Sequence, residues 1–266
     1  MKKYDVVIIG AGSIGVPASY YLAKKGFKTC VLERLPSEGR GQNRAAIGGI
    51  RATFSDPAKI KICQMTIDII SRFQKEHGID VDWIDGGYLF PVYDTVLEDK
   101  LKKLLDVQKK FNLDIDWISP AKVDELVPGI NRNGLLGGTF SPEDGSASPL
   151  KVTGAYLKLA RECEAEFYFD EEVTGFEKDG SKITAVITNK DKYSAGIIID
   201  ASGAYAKDTG ILYGLDIPVD PDCHEAGITE PVQPFFKPMV VDLRMDEQSA
   251  NYYFYQNKEG QVVFCI

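Results

Sequence analysis

YDVVIIGAGSIG, at residues 4–15, is the stretch that decides the fold of this chain. Residues 6–9 are all β-branched, which is typical of a parallel strand buried on both faces. Gly10, Gly12 and Gly15 follow in the spacing GxGxxG: the first makes a tight turn, the second lets the backbone approach a phosphate, and the third lets the next helix pack closely. The stretch therefore predicts a strand, a phosphate-binding turn and the start of a helix.

The residues that follow complete a strand-helix-strand unit. We expect a helix over residues 13–25 and a second strand over residues 28–32, ending at Glu33, which lies 23 residues beyond Gly10. A carboxylate at this position accepts hydrogen bonds from ribose hydroxyls. Since all the parts occur in the required order, we predict a dinucleotide site; the alternative is a structural turn without a ligand.

Composition narrows the class of protein. The 266 residues are 44% hydrophobic, which is ample for one large or two modest domains. The 31 basic against 39 acidic residues give a net charge of −8, which argues against binding to nucleic acid or to an anionic membrane. The five cysteines include no CxxC pair, so neither disulfides nor a metal site is expected. Two lysines lead straight into the first strand, without the apolar segment and cleavage site of a signal peptide. We therefore expect a cytoplasmic protein.

Several helices are expected after this unit. A helix should begin at Asp56-Pro57 and continue to about His77, because a capping residue and a first-turn proline mark its start. The same signal occurs at Ser119-Pro120 and Ser148-Pro149, and a charged amphipathic helix is expected over residues 95–111.

A second strand-to-glycine junction follows later in the chain. Residues 195–201 predict another buried parallel strand, which runs into the turn ASGAYAKD and a helix. Before it lies a hairpin with its turn at Asp179-Gly180. Beyond Pro218 we expect antiparallel strands, of which the last ends on VVFCI and should form an exposed apolar sheet edge. Their expected bounds are 224–231, 239–244, 251–255 and 262–266.

Five segments of the chain carry a family resemblance. They are DVVIIGAGSIGVPASYYLAKKGFKTCVLER (5–34), NRAAIGGIRATFSD (43–56), SPEDGSASP (141–149), EEVTGF (171–176) and IIIDASGAYAKD (197–208). Together they resemble the FAD-dependent oxidoreductases related to D-amino-acid oxidase, in the branch of sarcosine oxidase, dimethylglycine dehydrogenase and the flavin subunit of L-proline dehydrogenase. The first and last segments resemble many two-dinucleotide flavoproteins, whereas GGIR narrows the match to the amine-oxidising branch.

The resemblance implies an α/β fold with two interleaved domains. A Rossmann-like FAD-binding domain of the two-dinucleotide type would comprise residues 1–80 and 145–217. An α+β substrate domain on an antiparallel sheet would comprise residues 81–144 and 218–266. Relatives continue past the position matched by Ile266, so we expect the C-terminal part of this domain to be missing.

The resemblance also implies roles for individual residues. Glu33 would bind the adenosine ribose, Val173 the adenine through its backbone, and Arg44 with its loop the ribityl and flavin region. Arg51 matches an arginine near the substrate carboxylate and is our candidate catalytic residue; its alternative is a structural arginine paired with an acid such as Asp56. The cofactor-binding residues would be Gly10, Gly12, Ser13, Ile14, Gly15, Glu33, Arg34, Arg44, Ala45, Gly48, Gly49, Val173, Ser202 and Gly203.

The function implied is oxidation of the C–N bond of a secondary or tertiary amino acid of the sarcosine, dimethylglycine or proline type, with hydride passing to flavin. Some relatives attach the flavin to a histidine in the segment matched by residues 42–50; no histidine stands there, so the FAD should be noncovalent. The expected partners are a small carboxylated amine and a second subunit or dimer partner, and we expect this chain alone to be a poor catalyst. One alternative is a non-catalytic or incomplete FAD-binding subunit of a larger heteromeric dehydrogenase. Another, an NAD-linked dehydrogenase, is disfavoured by the hairpin and the second glycine junction.

Overall fold

The computed structural model describes residues 1–244, 249 and 251–265 and divides the chain into two compact units. The first unit comprises residues 1–46 and 149–222, and the second comprises residues 47–148 and 223–266. Residues 47–80, which the sequence assigns to the FAD-binding domain, belong to the second unit by their packing. The functional bounds of the two domains stay a prediction.

The helices and strands alternate along most of the chain. The strands are β1 (Lys2–Ile9), β2 (Thr29–Leu32), β3 (Gly49–Ile50), β4 (Tyr88–Val92), β5 (Asp116–Ile118), β6 (Gly137–Ser141), β7 (Gly145–Ser146), β8 (Glu166–Tyr168), β9 (Val173–Asp179), β10 (Lys182–Thr188), β11 (Lys192–Asp200), β12 (Ala226–Ile228), β13 (Met239–Asp242), β14 (Tyr252–Gln256) and β15 (Val262–Cys265). The helices are α1 (Gly15–Lys24), α2 (Pro57–Ser71), α3 (Phe73–His77), α4 (Thr95–Lys109), α5 (Pro120–Leu126), α6 (Pro149–Glu162) and α7 (Ala206–Tyr213), with short 3-10 helices at Gln42–Ala45 and Gly203–Tyr205.

The first unit is built on a sheet in the order β8-β2-β1-β11-β10-β9. The first four strands are parallel, and the β9–β10 hairpin adds two antiparallel strands at one edge. Val7 and Ile8 in β1 have no exposed surface, as expected for a central strand. The predicted strand at 195–201 does pair in parallel with β1, but Ile197 keeps 55% of its surface exposed, so it is not buried on both faces.

The second unit is built on a sheet in the order β12-β15-β14-β13-β4-β6-β5, together with the small β3–β7 pair. Its side chains alternate between two apolar clusters. Leu89 and Val240 pack with Phe236 on one face, whereas Tyr88, Phe90 and Met239 pack on the other. The second face is the one on which the Arg51 side chain lies, since its guanidinium stands 5.6 Å from the Phe90 ring.

Two strand predictions in this sheet are wrong. β13 pairs with β14 in antiparallel fashion but with β4 in parallel, because the chain enters the sheet beside β4 from a distant part of the sequence. β15 does not form an edge, because it lies between β12 and β14 and is hydrogen-bonded on both sides. The last residue of that predicted strand, Ile266, lies outside the described residues.

The single helix predicted from Asp56 to His77 is interrupted at Arg72. Asp56 caps α2, accepting a hydrogen bond from the Lys59 amide at 2.9 Å, and Pro57 occupies the first turn as expected. Arg72 Nε then donates to the carbonyl of Asp68 at 3.0 Å, whereas its own amide binds the carbonyl of Ile70. The arginine side chain thus takes the acceptor that a continuous helix would use.

Candidate cofactor and substrate sites

The glycine turn after β1 forms an open cradle. Gly10 has a φ of +103°, and a Cβ atom there would lie 2.5 Å from the carbonyl oxygen of Ala201. A Cβ at Gly15 would lie 1.9 Å from the carbonyl oxygen of Gly10, whereas one at Gly12 would meet no atom within 4 Å. The first and third glycines are therefore required by packing, and the second faces open space where a phosphate can lie.

Helix α1 directs its N-terminus toward this cradle. It begins after Ile14 without a side-chain cap, and both Ser13 and Ile14 are exposed. Uncapped amides at a helix N-terminus attract anions. These residues and the cradle thus fit the pyrophosphate of a dinucleotide, as the sequence predicts.

Glu33, at the end of β2, is fixed by backbone amides. Its Oε2 accepts a hydrogen bond from the amide of Ala11 at 2.8 Å, and its Oε1 accepts one from the amide of Leu35 at 2.9 Å. The carbonyl of Glu33 accepts the amide of Glu171 at 2.9 Å, two residues before Val173 opens β9. The structure therefore brings the predicted ribose-binding and adenine-binding segments together.

The second glycine junction lies at the end of β11, the strand beside β1. Asp200 fixes it, because its Oδ1 accepts hydrogen bonds from the Ser202 amide at 3.0 Å and from the Ser202 hydroxyl at 2.5 Å. Gly203 has a φ of +62°, which other residues rarely adopt. Asp200 has no place among the residues predicted from the sequence, although its position at the end of a parallel strand is a signal that could have found it.

Arg34, which follows Glu33, stacks its guanidinium 3.7 Å above the ring of Tyr205. Arg44 and Ala45 lie exposed on a 3-10 helix. That helix is anchored by Asn43, whose side-chain amide donates to the Thr153 hydroxyl at 2.8 Å in α6. Both arginines thus remain accessible on segments with fixed backbones.

Gly48, Gly49 and Arg51 belong to the second unit. Gly48 has a φ of +89°, and its carbonyl accepts the Ala147 amide at 2.9 Å. A Cβ at Gly49 would lie 1.9 Å from the hydroxyl oxygen of Tyr88 and 2.7 Å from the sulfur of Met239, so only glycine fits here. The small residues of this segment are therefore required by packing within the unit.

Arg51 is largely withdrawn from solvent among aromatic rings. Its Nη1 donates to the carbonyl of Thr53 and, at 3.3 Å, to the Thr53 hydroxyl, while the guanidinium lies 3.9 Å from the Phe54 ring. Burial lowers the pKa of Arg51, although an arginine stays charged at neutral pH. Within residues 1–244 and the described remainder no ion pair with Arg51 is found, and Asp56 caps α2 instead.

Alternate residues of the aromatic strand β14 lie on the face of the sheet where Arg51 lies. Tyr253 and Tyr255 pack on the face that holds Tyr88, and the Tyr255 hydroxyl donates to the carbonyl of Ile47 at 2.7 Å. Phe254 packs on the opposite face. Tyr253 and Tyr255 therefore lie on the same face of the sheet as the Arg51 side chain.

Asp144 lies near Arg51 and was not predicted from the sequence. It has no exposed surface, and its Oδ1 accepts a hydrogen bond from the amide of Ala52 at 2.9 Å. It stands in SPEDGSASP directly after Glu143, and nothing in this segment distinguishes the buried acid from its exposed neighbour.

The described residues include no group of three or more His, Cys, Asp or Glu side chains placed to hold a metal ion. In the same part of the chain no helix combines the length and apolar composition needed to cross a membrane. Neither histidine enters the sites above: His77 packs its ring against Phe73, with centroids 4.7 Å apart, and His224 lies before β12.

Comparison with known proteins identifies the family. The family described as "FAD dependent oxidoreductase" (DAO) matches residues 5–266. The beta subunit of sarcosine oxidase from Arthrobacter sp is 28% identical over 273 residues, which cover 98% of this chain and 65% of that protein. Human mitochondrial dimethylglycine dehydrogenase is 27% identical over 260 residues, which cover 97% of this chain and 30% of that protein. The chain thus spans less than two thirds of these relatives.

The fold agrees with solved structures of similar proteins. L-proline dehydrogenase from P. horikoshii superposes with a TM-score of 0.91 at 27% identity, over 99% of this chain and 69% of that one. Glycine oxidase from Geobacillus kaustophilus superposes with a TM-score of 0.86 at 21% identity, over 99% of this chain and 71% of that one. The predicted fold class is therefore confirmed.

Proposed function

The chain belongs to the family of FAD-dependent oxidoreductases, and we propose that it binds FAD noncovalently and oxidises the C–N bond of a small secondary or tertiary amino acid. Its relatives act on sarcosine, dimethylglycine and proline, as their names state, and these are the substrates that we propose. When bound, FAD supplies the hydride acceptor. The residues of this chain bind the cofactor and orient the substrate.

The cofactor half of the proposal is supported by the first unit. Gly12 and the uncapped start of α1 leave space and amides for a pyrophosphate. The Glu33 carboxylate is held beside this turn by the Ala11 amide, which supports its proposed role as acceptor for the ribose hydroxyls. Residues 42–50 contain no histidine to attach a flavin. Acid precipitation of the purified protein should therefore leave the yellow colour in the supernatant, and colour retained in the pellet would contradict noncovalent binding.

The surroundings of Arg51 are the observation that supports the proposed binding of the substrate. Its guanidinium is shielded by Phe54 and Phe90, yet the hydrogen bonds found for it go to Thr53 and to no carboxylate. A guanidinium shielded in this way binds a carboxylate through two parallel, charge-assisted hydrogen bonds. We therefore assign the carboxylate of the amino acid to Arg51, which leaves little freedom in how the substrate is presented.

An anaerobic reduction experiment tests this function. The FAD-loaded chain is mixed with sarcosine, dimethylglycine or proline, and bleaching of the flavin spectrum is followed. Arg51→Met should raise the substrate concentration for half-maximal bleaching by the equivalent of about 2 to 5 kcal/mol, because a shielded charge pair is lost. Arg72→Met, at an exposed arginine on the same unit, is the matched control.

The outcomes separate the candidate functions. If wild type and Arg51→Met need the same substrate concentration for half-maximal bleaching, Arg51 does not bind the substrate. A flavin that is bound but not bleached by any of the three amines would favour a non-catalytic or incomplete FAD-binding subunit of a larger heteromeric dehydrogenase. We further propose that the chain has a second subunit as partner, which its similarity to a sarcosine oxidase beta subunit supports. We also propose a cytoplasmic location.

A further inference from the structure

Asp144 holds the backbone that carries Arg51. It lies in the turn between β6 and β7 with no exposed surface, and its Oδ1 accepts the amide of Ala52 at 2.9 Å. Ala52 and Thr53 are themselves buried. Since Thr53 also accepts the hydrogen bonds of the Arg51 guanidinium, the acid, the loop and the arginine form one packed group.

The second oxygen of this carboxyl group is not satisfied. Asp144 Oδ2 and the hydroxyl of Ser141, three residues earlier, are both buried and have no hydrogen-bond partner among the described residues. An ionised carboxylate oxygen that lacks a donor in a dry interior is unfavourable. A proton on Oδ2 removes this penalty and makes Asp144 a donor toward a neighbouring oxygen such as that of Ser141.

Three other groups act on Asp144 from the elements packed around it. They are Arg51 from the loop after β3, Cys63 from α2 and Tyr88 from β4. Burial raises the pKa of both Cys63 and Tyr88, so these two side chains are neutral between pH 5 and pH 8. Arg51 therefore supplies the positive charge that Asp144 experiences.

The balance of these effects leaves Asp144 able to exchange a proton near neutral pH. Burial raises its pKa to about 6, while the hydrogen bond from the Ala52 amide and the positive charge of Arg51 partly oppose that rise. A second anion beside the same arginine would raise this pKa further, because like charges disfavour ionisation of one another.

We propose that Asp144 is a positioning residue for Arg51 and that it takes up one proton from solvent when a substrate carboxylate binds to the guanidinium. The proposal rests on the proposed function of Arg51. The carboxylate of the ligand forms the ion pair that Arg51 otherwise lacks, and its negative charge near Asp144 favours the neutral form of that acid. By linkage, ligand affinity should then fall as pH rises, by up to tenfold per pH unit above the titration of Asp144.

Calorimetry on the FAD-loaded chain tests this coupling. Proline and sarcosine are titrated anaerobically after the flavin has been reduced, so that they bind without being oxidised. The titrations are made at several pH values between 5.5 and 8, in buffers that differ in ionisation enthalpy, which gives the number of protons taken up. Asp144→Asn keeps an oxygen for the Ala52 amide but cannot titrate. We expect wild type to take up several tenths of a proton more than Asp144→Asn, and we expect the pH dependence of affinity to be flatter in the variant.

Two controls make the comparison specific. Glu143→Gln removes an exposed acid next to Asp144 and should behave like wild type. Any proton that the ligand amine releases is the same in wild type and in Asp144→Asn, so the difference between the two isolates Asp144. Equal proton uptake in these two proteins would overturn the proposal.

Infrared difference spectra of wild type cover the case in which Asp144→Asn does not fold. Addition of proline at pH 7 to the protein with reduced flavin should increase the carbonyl stretch of a protonated carboxyl group, and no increase would overturn the proposal. Failure of the proposed function looks different. If Arg51→Met binds proline as tightly as wild type, or if wild type binds neither ligand, Arg51 is not a carboxylate site at all.

Discussion

The side-chain carboxylate of Glu33 accepts a hydrogen bond from the backbone amide of Ala11, at 2.8 Å, and so ties the end of β2 to the glycine cradle. Glu33→Gln should weaken FAD binding about 10- to 100-fold, the equivalent of losing a hydrogen bond to a charged group. A fluorescence titration of the FAD-free protein with FAD measures this. Glu172→Gln, at an exposed acid in the same unit, is the control, and an unchanged Kd for Glu33→Gln would show that the acid does not serve the cofactor.

Two glycine substitutions should separate packing from cofactor binding. A Cβ at Gly15 would lie 1.9 Å from backbone, so Gly15→Ala should destabilise the protein without FAD by about 1 to 3 kcal/mol, visible as a lower Tm. A Cβ at Gly12 would meet no atom within 4 Å, so Gly12→Ala should leave that Tm unchanged and weaken FAD binding, because it fills the phosphate space. Equal effects of the two changes on Tm would contradict the open cradle.

The hydroxyl of Tyr193 should contribute to stability through a buried acid. It donates to Glu171 at 2.6 Å, and Glu171 is only 4% exposed. Tyr193→Phe leaves that carboxylate with one donor fewer, so we expect the free energy of unfolding to fall by about 1 to 3 kcal/mol in urea. The same deletion of a hydroxyl at exposed Tyr205 should have little effect, and a similar loss at both positions would argue against the buried network.

The stability contributed by Asp144 should depend on pH with a definite sign. Burial raises its pKa in the folded protein to about 6, above the ordinary 3.8, so the contribution is fully present below pH 3.8 and is lost as pH rises through 6. The stability of wild type relative to Asp144→Asn should therefore fall by about 2 kcal/mol between pH 4 and pH 8. Urea unfolding of both proteins across this range checks it, and a constant difference would mean that Asp144 does not titrate.

The features of the fold that depend on neighbouring residues were predictable from the sequence. The βαβ unit and the roles of its glycines follow from short-range sterics, and caps such as Asp56 fix helix starts from a few neighbouring residues. Features that depend on the order of strands in a sheet were not predictable. The sequence of β15 is that of a free sheet edge, and only its pairing with β12 shows otherwise. The break at Arg72 depends on a long side chain taking the carbonyl of Asp68, which no periodicity reveals.

The candidate site likewise has a part that was predictable from the sequence and a part that was not. Glycine spacing and the position of Glu33 were sufficient to predict the cradle. The partner of the Arg51 loop was not predictable, because Asp144 contacts Ala52 across 92 residues of sequence and stands among small residues in a turn. Long-range contacts of this kind are set by the packed fold and leave no local pattern.

The interleaving of the two units dictates the order in which the chain can fold as it leaves the ribosome. β1 is synthesised first, yet one of its two neighbours is β11, and Lys2 pairs with Tyr193. The sheet of the second unit likewise depends on distant strands, because β4 pairs with β13 and β12 is joined through β15. Neither sheet can close until these later strands have been made, so the earlier apolar strands stay unpaired in the interval, and such topologies fold slowly. We therefore expect recovery of native protein to depend on chaperone supply more than on the stability of the finished fold.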